Sequence, residues 1–194
     1  DKIDCPVYAT GFARSLIENR LKEFGFLDKI KIITIENDKD IKLNNFNLSF
    51  ISTTHSIPEP HAILIKTKYG NLLHTADWKI DFNPTIGEQI DQKQFEKIGN
   101  EGLLALIGDS TNADVPGFSK SEIEVREELI KIFSRYNKRI VITCFSSNIE
   151  RMESIFIAAK KNNRKVALVG RSMKKTIAAA IENDIIDKDI SFIS

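Results

Sequence analysis

The hydrophobic pattern of the chain changes in character near residue 113. Before that point, short β-branched or alternating apolar runs predict strands, and Lys68-Tyr69-Gly70 predicts a hairpin turn between two of them. The predicted strands are 30–35, 46–52, 62–67, 71–75 and a buried one at 103–107, the predicted helices are 12–24 and 92–98, and the polar segment 37–45 is predicted to be turn-like. This part is therefore predicted to be a mostly antiparallel sheet with helices outside, as in one half of a β-sandwich.

Beyond residue 113, helical and strand-like segments alternate. The predicted helices are 119–136, 148–161 and 172–182, and the predicted strands are 139–143 and 165–169. Such alternation is typical of βαβ units with a parallel sheet. Asn, Pro and Gly cluster at 113–118, so the sequence predicts two domains, 1–113 and 114–194.

Composition narrows the class of protein. The chain has 194 residues, of which 42% are hydrophobic and 28% are charged, as in globular proteins with a sizeable core. Cys5 and Cys144 lie far apart without a Cys-x-x-Cys spacing, which favours reduced thiols. No apolar run approaches the roughly 20 residues that a membrane span needs. We therefore expect a cytoplasmic protein that does not contact a membrane.

The charge of the chain is unevenly distributed. Residues 135–175 carry eleven Lys or Arg against two acids, whereas residues 1–134 carry sixteen basic and twenty-one acidic residues. A local basic field of this kind suits a polyanion such as RNA. Charge alone leaves open the alternative of ordinary solvated helix faces.

Two potential metal ligands each follow a β-rich run. His55 and Asp77 would then lie at one rim of a sheet. Imidazole and carboxylate are donors for Zn²⁺ or Mn²⁺, and a carboxylate can bridge two metals. Both residue types are common, so the pair alone is also compatible with a structural role.

The sequence motifs around these residues resemble those of the metallo-β-lactamase superfamily, and within it those of the ribonuclease J branch of the β-CASP nucleases. Five segments carry the resemblance in the family's order: 54–59 is similar to its third metal motif, 74–81 to its fourth, 109–118 to the start of its β-CASP domain, and 144–151 and 169–173 to two further segments. The resemblance implies an α/β fold, with a partial metallo-β-lactamase αββα sandwich at 1–113 followed by part of a β-CASP parallel-sheet domain at 114–194.

The same resemblance implies roles for His55, Asp77 and Asp109, and the position of His74 on the strand before Asp77 indicates a role for it. His55 would ligate one metal and Asp77 would bridge two, with zinc as the expected metal and manganese or magnesium as alternatives. Asp109 would be a second catalytic carboxylate, which orients a histidine supplied later in the chain, or else a strand-end Asp that caps a turn. His74 would orient a neighbouring ligand, or serve as a buried strand histidine.

RNA contacts are expected where strands give way to helices in the second part, because helix N-termini favour anions. The candidates are Ser147, Asn148, Arg151, Arg171 and Ser172. Helix caps with surface arginines are the alternative interpretation.

The family's His-x-His-x-Asp-His motif does not occur, since the only histidines are His55, His61 and His74. We therefore expect an internal piece of a longer zinc-dependent, homo-oligomeric ribonuclease that hydrolyses RNA phosphodiesters in RNA processing and decay, by endonucleolytic cutting, 5′-to-3′ exonucleolytic trimming or both. The alternative is a catalytically inactive segment that binds RNA weakly or is purely structural. A metallohydrolase of small esters is a third hypothesis, which the basic second part disfavours. Glycine-rich and nucleophile-elbow motifs of Rossmann, P-loop and α/β-hydrolase proteins are absent.

Overall fold

The structure is a computed structural model that describes residues 5–36, 39–188, 190, 192 and 193. Its elements in chain order are β1 (Val7–Ala9), α1 (Gly11–Glu23), a 3₁₀ turn (Leu27–Lys29), β2 (Ile32–Thr34), β3 (Ile41–Leu43), β4 (Phe46–Ser52), β5 (His61–Thr67), β6 (Gly70–His74), α2 (Gln92–Glu101), β7 (Ala105–Ile107), α3 (Glu122–Arg135), α4 (Ile149–Lys161), β8 (Val166–Ala167), α5 (Arg171–Glu182) and β9 (Phe192–Ile193). They form two compact units, one from the described parts of 1–36 and 126–194 and the other from those of 37–125.

The unit at 37–125 contains a five-stranded sheet in the order β3-β4-β5-β6-β7. Neighbouring strands are antiparallel except β6 and β7, which are parallel. The predicted hairpin is confirmed, because Thr67 pairs with Gly70 across its turn. Since β4 and β6 both run antiparallel to β5, the strands β4, β6 and β7 all end at the same edge of the sheet.

Alternating apolar positions of this sheet form its core. Ile51, Ala62, Leu64 and Leu73 are buried together with Ile98 of α2. Side chains alternate between the two faces of a strand, so this cluster shows that α2 covers one face of the sheet. The result is a helix-covered half of a sandwich, as the sequence predicts for the first part.

The other unit consists of helices and two short parallel strand pairs. β1 pairs with β2 around α1, and β8 pairs with β9 around α5, so both are βαβ units. Its core surrounds α4, in which Ile149, Met152 and Phe156 are buried. The α1 and α5 helices contact each other through an ion pair between Lys175 and Glu23 and through a 2.9 Å hydrogen bond from Asn183 to Ser15.

Two predictions about strands were wrong because pairing depends on distant parts of the chain. The segment 139–143 is extended, with Ile142 half-buried and Val141 82% exposed, but it belongs to no hydrogen-bonded ladder among the described residues. Conversely, the segment 37–45 contains β3, which is held by pairing of Ile41 with Leu48 and of Leu43 with Phe46.

The prediction that the strand at 103–107 is buried was also wrong. β7 is the edge strand of its sheet, and Leu106 is 63% exposed. Its apolar sequence therefore indicates a strand without fixing its burial.

The compact units divide the chain differently from the predicted domains. The described residues up to 36 pack with the part that begins at 126, whereas the predicted boundary at 113/114 follows the cluster of Asn, Pro and Gly and the family resemblance. That boundary stays a prediction. None of the helices formed by the described residues is long and apolar enough to cross a membrane.

Candidate metal centre and nucleic-acid contacts

Three carboxylate or imidazole side chains follow strands that end at one edge of the five-stranded sheet. His55 lies three residues after β4, Asp77 three residues after β6, and Asp109 two residues after β7. His55 is half-buried, whereas Asp77 and Asp109 are exposed. All three residues therefore lie at the same edge of the sheet, which is where the sequence predicts His55 and Asp77 to lie.

The loop that carries His55 is fastened to the loop that carries Asp77. Thr54 accepts a 2.8 Å backbone hydrogen bond from Lys79 and donates its hydroxyl to the Lys79 carbonyl at 2.5 Å. The same hydroxyl accepts a 3.1 Å bond from the Asp81 amide. The Nδ1 atom of His55 itself lies 3.5 Å from the Ser56 hydroxyl.

Asp77 follows a left-handed turn at Ala76, whose φ is 54°. A residue with a Cβ atom adopts this conformation at a cost of roughly 1–2 kcal/mol. Hydrogen bonds hold the turn on both sides: the Ala76 amide donates to His74 Nδ1 at 3.0 Å, and the Thr75 hydroxyl donates to the Ala76 carbonyl at 2.8 Å. His74 is exposed and supports the backbone beside Asp77, which is where a ligand-orienting residue would act.

Asp109 is tied to the same turn. Its amide donates to the Thr75 hydroxyl at 3.1 Å, and the Thr75 amide donates to the Ile107 carbonyl at 2.9 Å. Hydrogen bonds from the hydroxyl and the amide of Thr111 hold the pKa of the Asp109 carboxyl below its usual value, and the nearby His55 acts in the same direction. Asp109 is therefore an anionic neighbour of His55.

Asp81 is a structural residue of this region that the sequence reasoning did not single out. It is buried, forms an ion pair with Lys79 at 3.1 Å, and accepts amide hydrogen bonds from Asn83 and Glu122. Burial alone would raise the pKa of its carboxyl, but hydrogen bonds, of which that from Ser121 is the largest, lower it overall. The signal was present, since Asp81 lies in the same motif-like segment as Asp77.

The donor types at the rim fit a zinc or manganese ion, but their number is small. Among the residues that the structure describes, no group of three or more His, Cys, Asp or Glu side chains could hold a metal ion. A structural zinc site takes four ligands, and a catalytic site takes three from the protein. His55 and Asp77 can therefore supply only part of a metal centre.

The predicted RNA-contact residues lie at two helix N-termini of the unit formed by 1–36 and 126–194. Asn148 is the N-cap of α4 and accepts the Arg151 amide at 2.9 Å, so the helix-cap interpretation holds for its side-chain oxygen. Ser147 is exposed beside it. Glu150, which follows in the first turn, is only 2% exposed, so its carboxylate is withdrawn from the surface.

The α5 helix begins differently. Gly170 occupies its N-cap with φ 116°, no side chain caps the helix, and the first turn contains no acid. Arg171 and Ser172 are both exposed there. Amide groups at such an end and an adjacent guanidinium are suitable partners for a phosphate.

Comparisons with known proteins now bear on these sites. A family model described as Ribonuclease J, beta-CASP domain matches residues 137–193. The chain is 40% identical over 177 residues to Ribonuclease J 1 of Streptococcus pyogenes serotype M3, which aligns with 91% of this chain and 31% of the relative. It is also 40% identical to Ribonuclease J of Sinorhizobium meliloti, over 92% of this chain and 32% of that relative, and 33% identical to Ribonuclease J2 of Bacillus subtilis, over 97% and 34%.

The aligned region belongs to the ribonuclease J family. The chain spans about a third of the length of the ribonuclease J relatives that it matches. All five predicted RNA-contact residues fall within the part that matches the β-CASP domain, whereas His55, Asp77 and Asp109 precede it.

A crystal structure of a protein of unknown function from Enterococcus faecalis V583 has the same fold. Its TM-score is 0.64 at 16% sequence identity, with 91% of this chain and 43% of that chain covered. Together with the family match, this confirms the expectation of a mixed α/β fold that combines part of a metallo-β-lactamase domain with part of a β-CASP domain.

Proposed function

We propose that this chain is part of a zinc-dependent ribonuclease that hydrolyses RNA phosphodiesters in RNA processing and decay. The observation that carries the proposal is the convergence of His55, Asp77 and Asp109 at one edge of a sheet, in a chain whose relatives are named ribonuclease J. We further propose that the whole protein acts in the cytoplasm as a homo-oligomer.

In this proposal His55 and Asp77 bind metal, and the remaining ligands come from outside the described residues. Bound zinc supplies Lewis acidity toward phosphoryl oxygens and lowers the pKa of water. The His55 imidazole would hold one metal ion, and the Asp77 carboxylate would be shared by two. Asp109, which accepts hydrogen bonds from the amide and the hydroxyl of Thr111, would orient a histidine that is supplied later in the chain.

The test uses the full-length protein that carries this chain. Asp77→Asn should abolish hydrolysis of a 5′-labelled RNA, because removing a metal-binding carboxylate removes coordination energy. Asp114→Asn is the matched control, since Asp114 is exposed and is not one of the proposed metal ligands. Full activity of Asp77→Asn would contradict the proposal. Hydrolysis of a small ester in preference to RNA would favour the third hypothesis instead.

A second candidate function concerns the 194-residue chain by itself. Because its described residues provide no group of three metal donors, the chain by itself should not hydrolyse RNA, and its remaining function would be weak RNA binding or a purely structural role. The α5 N-terminus supports this candidate, since it presents Arg171 and Ser172 without an acidic neighbour in the first turn.

Binding would be recognised by its dependence on salt. For single strands the logarithm of the affinity falls with the logarithm of salt concentration with a slope of about −0.7 per phosphate contact. Arg171→Gln should weaken binding and reduce the slope by about one contact. Lys131→Gln, which changes an exposed cation paired with Glu128, should alter neither quantity. Equal losses of RNA affinity in Arg171→Gln and Lys131→Gln would contradict a specific role of the α5 N-terminus in RNA binding.

A further inference from the structure

Two buried threonine hydroxyls join the three loops of the candidate metal centre. Thr54 and Thr75 are each 4% exposed, although they lie at the rim where Asp77 and Asp109 are exposed. Each hydroxyl both donates and accepts a hydrogen bond, and at least one of these bonds reaches a backbone group of a different loop.

Thr54 joins the loop of His55 to the loop of Asp77. Its hydroxyl donates to the Lys79 carbonyl at 2.5 Å and accepts from the Asp81 amide at 3.1 Å. These partners lie two and four residues beyond Asp77. The loop of His55 is therefore joined to the segment that directly follows Asp77.

Thr75 joins the loop of Asp77 to the loop of Asp109. Its hydroxyl donates to the Ala76 carbonyl at 2.8 Å and accepts from the Asp109 amide at 3.1 Å. The first bond holds the left-handed turn that precedes Asp77, and the second fixes the backbone of Asp109 itself.

We propose that Thr54 and Thr75 are positioning residues, whose hydroxyls hold His55, Asp77 and Asp109 in the geometry that a metal centre requires. This inference rests on the proposed function. Metal ligands must be held within about 0.5 Å of their working positions by neighbours that are themselves fixed. A hydroxyl that bridges two loops restrains both, in addition to the backbone hydrogen bonds from Lys79 to Thr54 and from Thr75 to Ile107.

Thr53 provides a matched control within the same strand end. It is 5% exposed, nearly as buried as Thr54, yet among the described residues its hydroxyl has no hydrogen-bond partner. Thr53→Val therefore makes the same chemical change at a neighbouring buried position without breaking a bond between loops.

The experiment measures zinc affinity by chelator competition, together with kcat and KM for RNA hydrolysis, in the full-length protein. Thr54→Val and Thr75→Val should each lower zinc affinity or kcat by about 10–100-fold, which is typical when partners of metal ligands are removed. Thr54→Ser and Thr75→Ser keep the hydroxyl and should restore most of the loss. In Thr54→Val and Thr75→Val, KM should change less than kcat. Thr53→Val should have the zinc affinity, kcat and KM of the unsubstituted protein.

The proposal is overturned if both valine variants bind zinc and turn over RNA normally, or if the serine variants lose as much as the valine variants. A second measurement does not depend on the folding of any variant. In the unsubstituted protein, the amide hydrogens of Asp81 and Asp109 should exchange slowly because they are bonded to the two hydroxyls. Exchange at the rates of free loop amides would also overturn the proposal.

Asp77→Asn separates this inference from the function on which it rests. If Asp77→Asn abolishes RNA hydrolysis while the valine variants remain fully active, only the positioning role fails. If Asp77→Asn remains active, the proposed function fails, and the positioning role fails with it.

Discussion

Replacing Asp81 by asparagine tests whether the rim depends on a buried, ionised carboxylate. The Asp81 side chain is 1% exposed, and three donors lie within 3.2 Å of it, namely Lys79 Nζ and the amides of Asn83 and Glu122. A hydrogen bond to a charged group exceeds a neutral one by about 1 kcal/mol. Asp81→Asn keeps the shape and loses the charge, so it should lower the free energy of unfolding by about 2–3 kcal/mol at pH 7.

The loss should depend on pH in a defined direction. Because the folded-state pKa of Asp81 is lowered, its contribution is fully present above the unfolded pKa of about 3.9 and is lost as pH falls through the folded value. The difference between Asp81→Asn and the unsubstituted chain should therefore shrink below about pH 4.

The assay is urea unfolding followed by the fluorescence of Trp78, the single tryptophan, which lies three residues from Asp81. Asp114→Asn should leave the urea midpoint unchanged at every pH, because that carboxylate is exposed. Equal midpoints for Asp81→Asn and the unsubstituted chain at pH 7 would refute the reasoning. A difference that stays constant or grows on acidification would refute it as well.

Three further variants test other features of the chain. Arg126→Leu leaves the half-buried Glu153, whose pKa burial raises, without its cation. The free energy of unfolding should fall by less than the roughly 3–5 kcal/mol that breaking a fully buried ion pair costs, and leucine at both positions should recover most of that loss in thermal unfolding. Ala76→Gly should raise the urea midpoint by the equivalent of about 0.5 kcal/mol. The reason is that removing the steric strain of the Cβ atom at φ 54° outweighs the greater conformational entropy of glycine in the unfolded chain. A lower midpoint would contradict this prediction. Asn148→Ala should lower the unfolding free energy by about 1 kcal/mol through loss of the α4 cap, and unchanged RNA affinity in the same variant would show that the residue is only a cap.

Local signals in the sequence were sufficient for most of the helices and for the central hairpin. The hairpin depends on a turn at Lys68 and Tyr69 between two β-rich runs, and its register follows directly from that turn. The rim position of His55 and Asp77 was also predictable, because each follows a strand-like run and both strands pair with the strand between them.

Features that depend on pairing between distant residues were not predictable in the same way. β3 exists because Ile41 and Leu43 pair with β4, although the surrounding residues are polar and turn-like. The segment 139–143 has a strand-like sequence, yet no described residue completes a ladder with it. A strand is defined by its partner, which a single local pattern does not contain.

The hydrogen bonds that support the candidate site were likewise not predictable from the residue pattern, although Asp81 lies within a motif-like segment. Asp81 accepts a hydrogen bond from an amide 41 residues away, and Thr75 accepts one from an amide 34 residues away. The family-like motifs predicted His55 and Asp77 as metal ligands. The hydrogen bonds of Thr54, Thr75 and Asp81 that join the neighbouring loops are visible only in the folded chain.

The central claim is that His55 and Asp77 bind metal at the sheet edge. The most direct measurement is anomalous X-ray scattering at the zinc absorption edge, from crystals of the full-length protein that carries this chain, grown with zinc. The account predicts a zinc peak about 2.0–2.2 Å from a His55 ring nitrogen or an Asp77 oxygen. It also predicts a second zinc peak that lies about 3.5–4 Å from the first and is likewise beside the Asp77 carboxylate. Zinc peaks that lie only at other residues would contradict the account.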